Sequence, residues 1–110
     1  MAIEQYRQII QQLILERAQR PSPIPEIEKQ AVIDTERDHY LLLHTGWREN
    51  RRTHGCSLHI DIKDGKIWIQ HDGSEVGIAT VLLERGVPAH DIVLGFDSPY
   101  MRQFTEFATH

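Results

Sequence analysis

The densest chemistry in the chain lies in five residues, where His59, Asp61 and Lys63 alternate with Ile60 and Ile62. Alternate residues of a strand share a face, so the three polar side chains stand together if this segment is extended. An acid, one spacer and a lysine on a strand is the arrangement of many metal-dependent nucleases. There, carboxylates hold a divalent ion and the lysine orients water. Asp34 or Asp38 would supply the further acid. Three residues match such a pattern easily by chance, and Lys63 abuts an Asp64-Gly65 turn where lysines serve solubility. A divalent-metal nuclease using Asp61 and Lys63 is therefore the alternative reading, not the leading one.

Seven histidines in 110 residues invite a metal hypothesis. His59 and Asp61 make the nearest approach to a ligand pair, whereas His39 and His44, at odd separation, fall on opposite strand faces. A closed zinc site takes about four ligands, usually with cysteines or a fixed histidine spacing. Neither pattern is present, and no metal or cofactor is expected. The single cysteine, Cys56, shares a core face with Leu58 in a regular strand and reads as an inert thiol. It has no partner for an internal disulfide, which points to a reducing, cytoplasmic setting. His90-Asp91 has no nucleophile beside it. No catalytic residue is assigned.

The formal net charge is −4, whereas proteins that grip duplex DNA alone carry a basic footprint. The one basic cluster, Arg48, Arg51 and Arg52 with His54, is interrupted by Glu49. Direct DNA binding through this arginine loop is disfavoured and remains a third reading. No apolar run reaches the roughly 18 residues of a membrane helix.

The elements that must position these residues follow from periodicity. Tyr6, Ile9, Ile10, Leu13 and Ile14 recur at helical steps, predicting a helix over 2–19 that Pro21, Pro23 and Pro25 terminate. Strands are expected over 29–34 and about 39–47, separated by the polar turn 35–38. Leu58, Ile60 and Ile62 before Asp64-Gly65, and Ile67 and Ile69 after it, give a hairpin signature. A two-residue turn pairs Ile62 with Ile67 and Ile60 with Ile69, burying four isoleucines together. Trp68 then faces away from the core beside His59 and Asp61. A second long helix is expected after Asp72-Gly73-Ser74, capped by Asp72 or Ser74 and stopped at Gly86-Val87-Pro88. Its stripe is Val76, Ala79, Thr80 and Leu83, widened by Ile78 and Leu82. Ile92-Val93-Leu94 forms a short strand or a docked extended piece. The fold class is α+β: one domain over 1–110, with a four-stranded antiparallel meander packed against two helices.

Tyr40-Leu41-Leu42-Leu43 is apolar on both strand faces, so the face away from the helices also needs cover. Trp47 and Trp68 with Leu41 or Leu43 would form an apolar patch, the kind of surface that marks an interface. Trp47, Trp68, His59, Asp61, Arg48, Arg51 and Arg52 are the candidate contact residues, and a homo-oligomer is expected. Cover by the tail holding Tyr100, Phe104 and Phe107 is the competing arrangement.

Several segments together resemble one family. They are Asp34-Thr35-Glu36-Arg37-Asp38-His39-Tyr40, Gly46-Trp47, Gly55-Cys56, the run His59 to Gln70, Gly86-Val87-Pro88, Ile92-Val93-Leu94-Gly95-Phe96, and Arg102 to Ala108. From about Tyr6 to the C-terminus the chain is similar to XisI, the excision-controlling factors of the fdxN element. The resemblance implies a regulatory, non-enzymatic role in a DNA rearrangement. It further implies contact with a companion protein, XisH, that resembles an endonuclease. It brings no established catalytic residues.

Overall fold

A computed structural model describes residues 3–110. Helix α1 spans Ile3–Gln19 and buries Tyr6, Ile10, Leu13 and Ile14. Position 2 of the expected helix lies outside the described residues. The prolines at 21, 23 and 25 follow its end directly, as their missing N–H groups and restricted predecessors require.

Strands β1 (Ile27–Asp34), β2 (His39–Arg48), β3 (Arg51–Lys63) and β4 (Lys66–Asp72) form the expected antiparallel meander. Ile62 pairs with Ile67 and Ile60 with Ile69. The Asp64-Gly65 turn takes φ of 54° and 76°, the left-handed pair that glycine and aspartate tolerate. Ile60, Ile67 and Ile69 are wholly buried.

A fifth strand, β5 (Ile92–Leu94), joins β4 in parallel, so the sheet is mixed and ordered β1-β2-β3-β4-β5. Parallel neighbours need a crossover, and helix α2 (Ile78–Glu84) supplies it. This helix has seven residues and is shorter than its sequence pattern suggests. Val76 is exposed, and Ile78 with Leu82 make the buried contact. The N-cap position falls on Gly77 rather than on Asp72 or Ser74. The Asp72 carboxylate, six residues before the helix, accepts from the first helical N–H, of Ile78, at 2.7 Å and from the Ser74 N–H at 2.9 Å. A 3₁₀ turn at Ala89–Asp91 leads into β5, and α3 (Pro99–Arg102) opens the tail.

Helix α1 packs against β1, β2 and β3, and α2 against β4. Polar clamps fix α1, among them Arg85, which donates to Glu16 at 2.6 Å. Arg7 forks onto Asp38 in the β1–β2 turn at 2.9 and 3.1 Å, with the Tyr40 hydroxyl donating to the same carboxylate at 2.8 Å. Tyr6 donates its hydroxyl to Asp91 before β5. Among the described residues no helix is long and apolar enough to cross a membrane.

Candidate functional site

The face of the sheet turned away from α1 and α2 carries His59 and Asp61. His39 opens β2 directly opposite Asp61 of β3, and His59 stands two residues earlier on the same face. Both imidazoles converge on one carboxylate oxygen: His39 Nδ1 lies 2.8 Å and His59 Nε2 2.9 Å from Asp61 Oδ1. The second oxygen, Oδ2, accepts from Gln70 Nε2 of β4 at 3.2 Å. The rings of His39 and His59 meet edge to face at 6.5 Å. Asp61 is only 15% exposed, while His39 is half open to solvent. Its hydrogen bond to Asp61, followed by the carboxylate's charge, raises the His39 imidazole above its ordinary value. The sequence sets His39 only against His44 and does not join it to His59 and Asp61. Spacing along one strand carries no information about a partner across a ladder, and only the β2–β3 register brings it in.

The residues of the nuclease reading each have partners in the fold, beginning with Lys63. Its ammonium sits 4.7 Å over the Trp68 ring. Asp38 is held by Arg7 and Tyr40, and the Arg7 contact keeps its carboxyl below the usual range. Asp34 accepts from the Glu36 and Arg37 N–H groups at 3.0 and 2.9 Å, fixing the turn. These bonds, the Arg37 N–H first, hold its carboxyl low. Asp91 takes the Tyr6 hydroxyl, and His90 stands 3.8 Å away, largely in solvent.

Cys56 requires a correction. The β2–β3 register shifts between Leu42 and Leu43, so Leu42 faces Leu58 but Leu43 faces Cys56. Ser57 is the extra residue of this bulge, and it reverses the alternation. Cys56 thus stands with Leu43 on the outer face, half-buried, rather than with Leu58 on the core face.

Past Leu42 and Leu58 the β2–β3 ribbon leaves the core, with no fully buried residue from 43 to 57. Beyond Gly46, where β1 begins, it is two-stranded. The arginines are not on a loop: Arg48 ends β2, Arg51 and Arg52 begin β3, and only Glu49-Asn50 turns between them. Trp47, 54% exposed, lies directly opposite Arg52. The Arg52 guanidinium stacks 5.6 Å over its ring and donates to Thr45 Oγ1 at 3.0 Å. Among the described residues no carboxylate lies within ion-pair distance of Arg48, Arg51 or Arg52.

The two tryptophans are not neighbours. Trp47 is level with Arg52 and Trp68 with Asp61 on the same β3 strand, a separation of roughly 30 Å at about 3.3 Å per residue. The tail covers Trp68 within the chain: Arg102 stacks on its ring at 5.1 Å, and the indole Nε1 is buried without a partner. Arg102 is anchored in turn by the carbonyls of Leu94 and Asp97 at 3.2 and 3.1 Å. The tail then exposes an aromatic cluster that sequence reasoning treated only as cover. Tyr100 and Phe104, 68% and 66% exposed, meet edge to face at 5.3 Å, and Phe96 and Met101 of the same segment are also exposed.

The family profile described as XisI protein matches residues 1–109. A crystal structure of a XisI-like protein from Anabaena variabilis is 37% identical, covers 97% of this chain and 98% of its own, and superimposes with a TM-score of 0.92. The fdxN element excision controlling factor XisI from the same organism is also 37% identical. It covers 96% of each chain, with a TM-score of 0.82. No curated protein matches.

Proposed function

The chain belongs to the XisI family, and from that membership we propose that it is a non-enzymatic factor controlling site-specific excision or rearrangement of a DNA element. It acts by docking on a nuclease-fold partner of the XisH kind. The observation that carries the docking reading is the bare end of the β2–β3 ribbon. There Arg52 stacks on an exposed tryptophan, Arg48 and Arg51 pair on the opposite face of the same ribbon end, and no carboxylate of the described chain neutralises the three arginines. Aromatic and arginine side chains are the favoured anchors of interfaces. Unpaired guanidinium groups fit an acidic surface on the partner, because each then gains a charge-assisted bond it lacks at home. The chain's own negative charge suits a protein partner better than bare duplex.

Self-association is part of the proposal. The exposed Tyr100 and Phe104 are in ring contact, and Phe96 and Met101 in the same tail segment are exposed too. Exposed apolar side chains of this sort mark an interface on a soluble protein. Trp68, half-buried under Arg102, contributes at its rim.

The test uses purified chain and purified XisH-like protein in a titration. Trp47→Ala, or Arg51→Glu with Arg52→Glu, is expected to weaken binding about thirtyfold, as loss of a hot spot of about 2 kcal/mol does. Unchanged affinity in both variants would remove the ribbon from the interface. The same unpaired arginines favour a second reading, direct contact with DNA phosphates. A mobility shift that weakens steeply with salt and is lost in the arginine variant would establish it.

A further inference from the structure

We propose that His39, His59 and Asp61 form a binding site for one divalent transition-metal ion of the zinc class, ligated through His39 Nδ1, His59 Nε2 and Asp61 Oδ1. The three ligand atoms already converge, with all of them inside 4.8 Å of one another. Ligands of a tetrahedral ion bound at about 2.0–2.1 Å stand about 3.3 Å apart. The observed separations of 2.8 and 2.9 Å to Asp61 Oδ1 therefore need to open by about half an ångström. Rotation of two partly exposed rings provides that movement without displacing a strand.

The surroundings are those of a site rather than of a chance pair. A ligating carboxylate is usually oriented by a second hydrogen-bond partner, and Gln70 Nε2 holds Asp61 Oδ2 at 3.2 Å. The ligands stand on two paired strands, not on loops, and their spacing is fixed by the ladder His39–Asp61. Asp34 and Asp38 place further negative charge near His39. The half-open His39 gives an entry path and leaves a fourth position to water.

The donor set selects the ion. Two imidazoles and one carboxylate suit zinc, cobalt, nickel or copper, whereas magnesium and calcium take oxygen ligands. The role is structural and local: the ion ties the start of β2 to the last residues of β3, close to the tail that Arg102 docks on Trp68.

The probe is Co²⁺ titrated into the full-length chain after chelation, followed by visible absorption and calorimetry, with circular dichroism checking each variant's fold. One equivalent is expected to bind saturably and to resist a large excess of Mg²⁺. His39→Gln and His59→Gln should each weaken it by more than about a hundredfold, and Gln70→Ala by about ten- to a hundredfold. His71 faces His59 across the β3–β4 ladder, so His71→Gln is the control and should change nothing. Absence of saturable binding to the native chain overturns the assignment. So does binding that survives both ligand variants, or binding lost in His71→Gln.

Discussion

Gly46 sets where the bare ribbon begins, and replacing it with alanine should be costly for a reason visible in the backbone. A Cβ at position 46 would lie 2.2 Å from the Glu26 carbonyl oxygen and 3.1 Å from the Ile27 Cα. Both obstacles are main chain, so no side chain can swing aside, and β1 must retreat by about 1 Å to restore contact distance. Overpacking of this kind costs typically 1–3 kcal/mol. Fraying limits the cost from above, because Ile27 is the last β1 residue paired, opposite Gly46. Releasing that end sacrifices one or two hydrogen bonds of about 1 kcal/mol each. The expected loss is about 2 kcal/mol. For a chain of this length about 1 kcal/mol shifts Tm by about 4 °C, so Gly46→Ala should lower Tm by about 8 °C. Gly65→Ala is the matched control. Its φ is 76° but nothing lies within 4 Å of the added atom, so only the left-handed backbone cost of about 1 kcal/mol applies. Thermal unfolding followed by circular dichroism measures both, and amide exchange locates the damage. Gly46→Ala should lose protection at the start of β1, and Gly65→Ala should not. Equal Tm losses in the two variants, or full protection of Ile27 in Gly46→Ala, would refute the steric argument.

Two further predictions concern the contacts that hold the ends of the chain. Burial, then the hydrogen bond to Asp91, pushes the Tyr6 hydroxyl up to about 12, against about 10 in an unfolded chain. The folded value is the higher one, so this contribution is complete below about pH 10 and is lost as pH rises toward 12. Denaturation between those values should show a shallower alkaline fall in stability for Tyr6→Phe than for the native chain; identical slopes would contradict it. Arg102→Ala removes the stack on Trp68 and three carbonyl contacts, to Leu94, Asp97 and Thr109, together about 2 kcal/mol of docking. Trp68 emission should shift to the red and the tail should become protease-sensitive, and an unchanged spectrum would show that other contacts hold it.

Local pattern carried the helix, its proline stop and the β3–β4 hairpin, because each depends on residues adjacent in sequence. The Ile62–Ile67 register follows from a two-residue turn and one buried face. Features that depend on non-local pairing could not be read the same way. The bulge at Ser57 moved Cys56 to the outer face, and a run of alternating residues gives no warning of one inserted residue. The parallel alignment of Ile92–Leu94 on β4 depends on the α2 crossover, and three apolar residues fit several arrangements. His39 met Asp61 through strand pairing across 22 positions. Trp47 and Trp68 were both correctly placed away from the core, but their distance apart is set by the length of β3, which reaches back to Arg51.

The account stands on the ribbon end being the docking surface, and hydrogen–deuterium exchange of the chain with and without a purified XisH-like protein tests that most directly. Protection on binding should concentrate in residues 45–54, around Trp47 and the Glu49-Asn50 turn, with little change in β4. Protection confined to another surface, such as the tail from Phe96 to Phe104, with the ribbon end exchanging as freely as before, would contradict it.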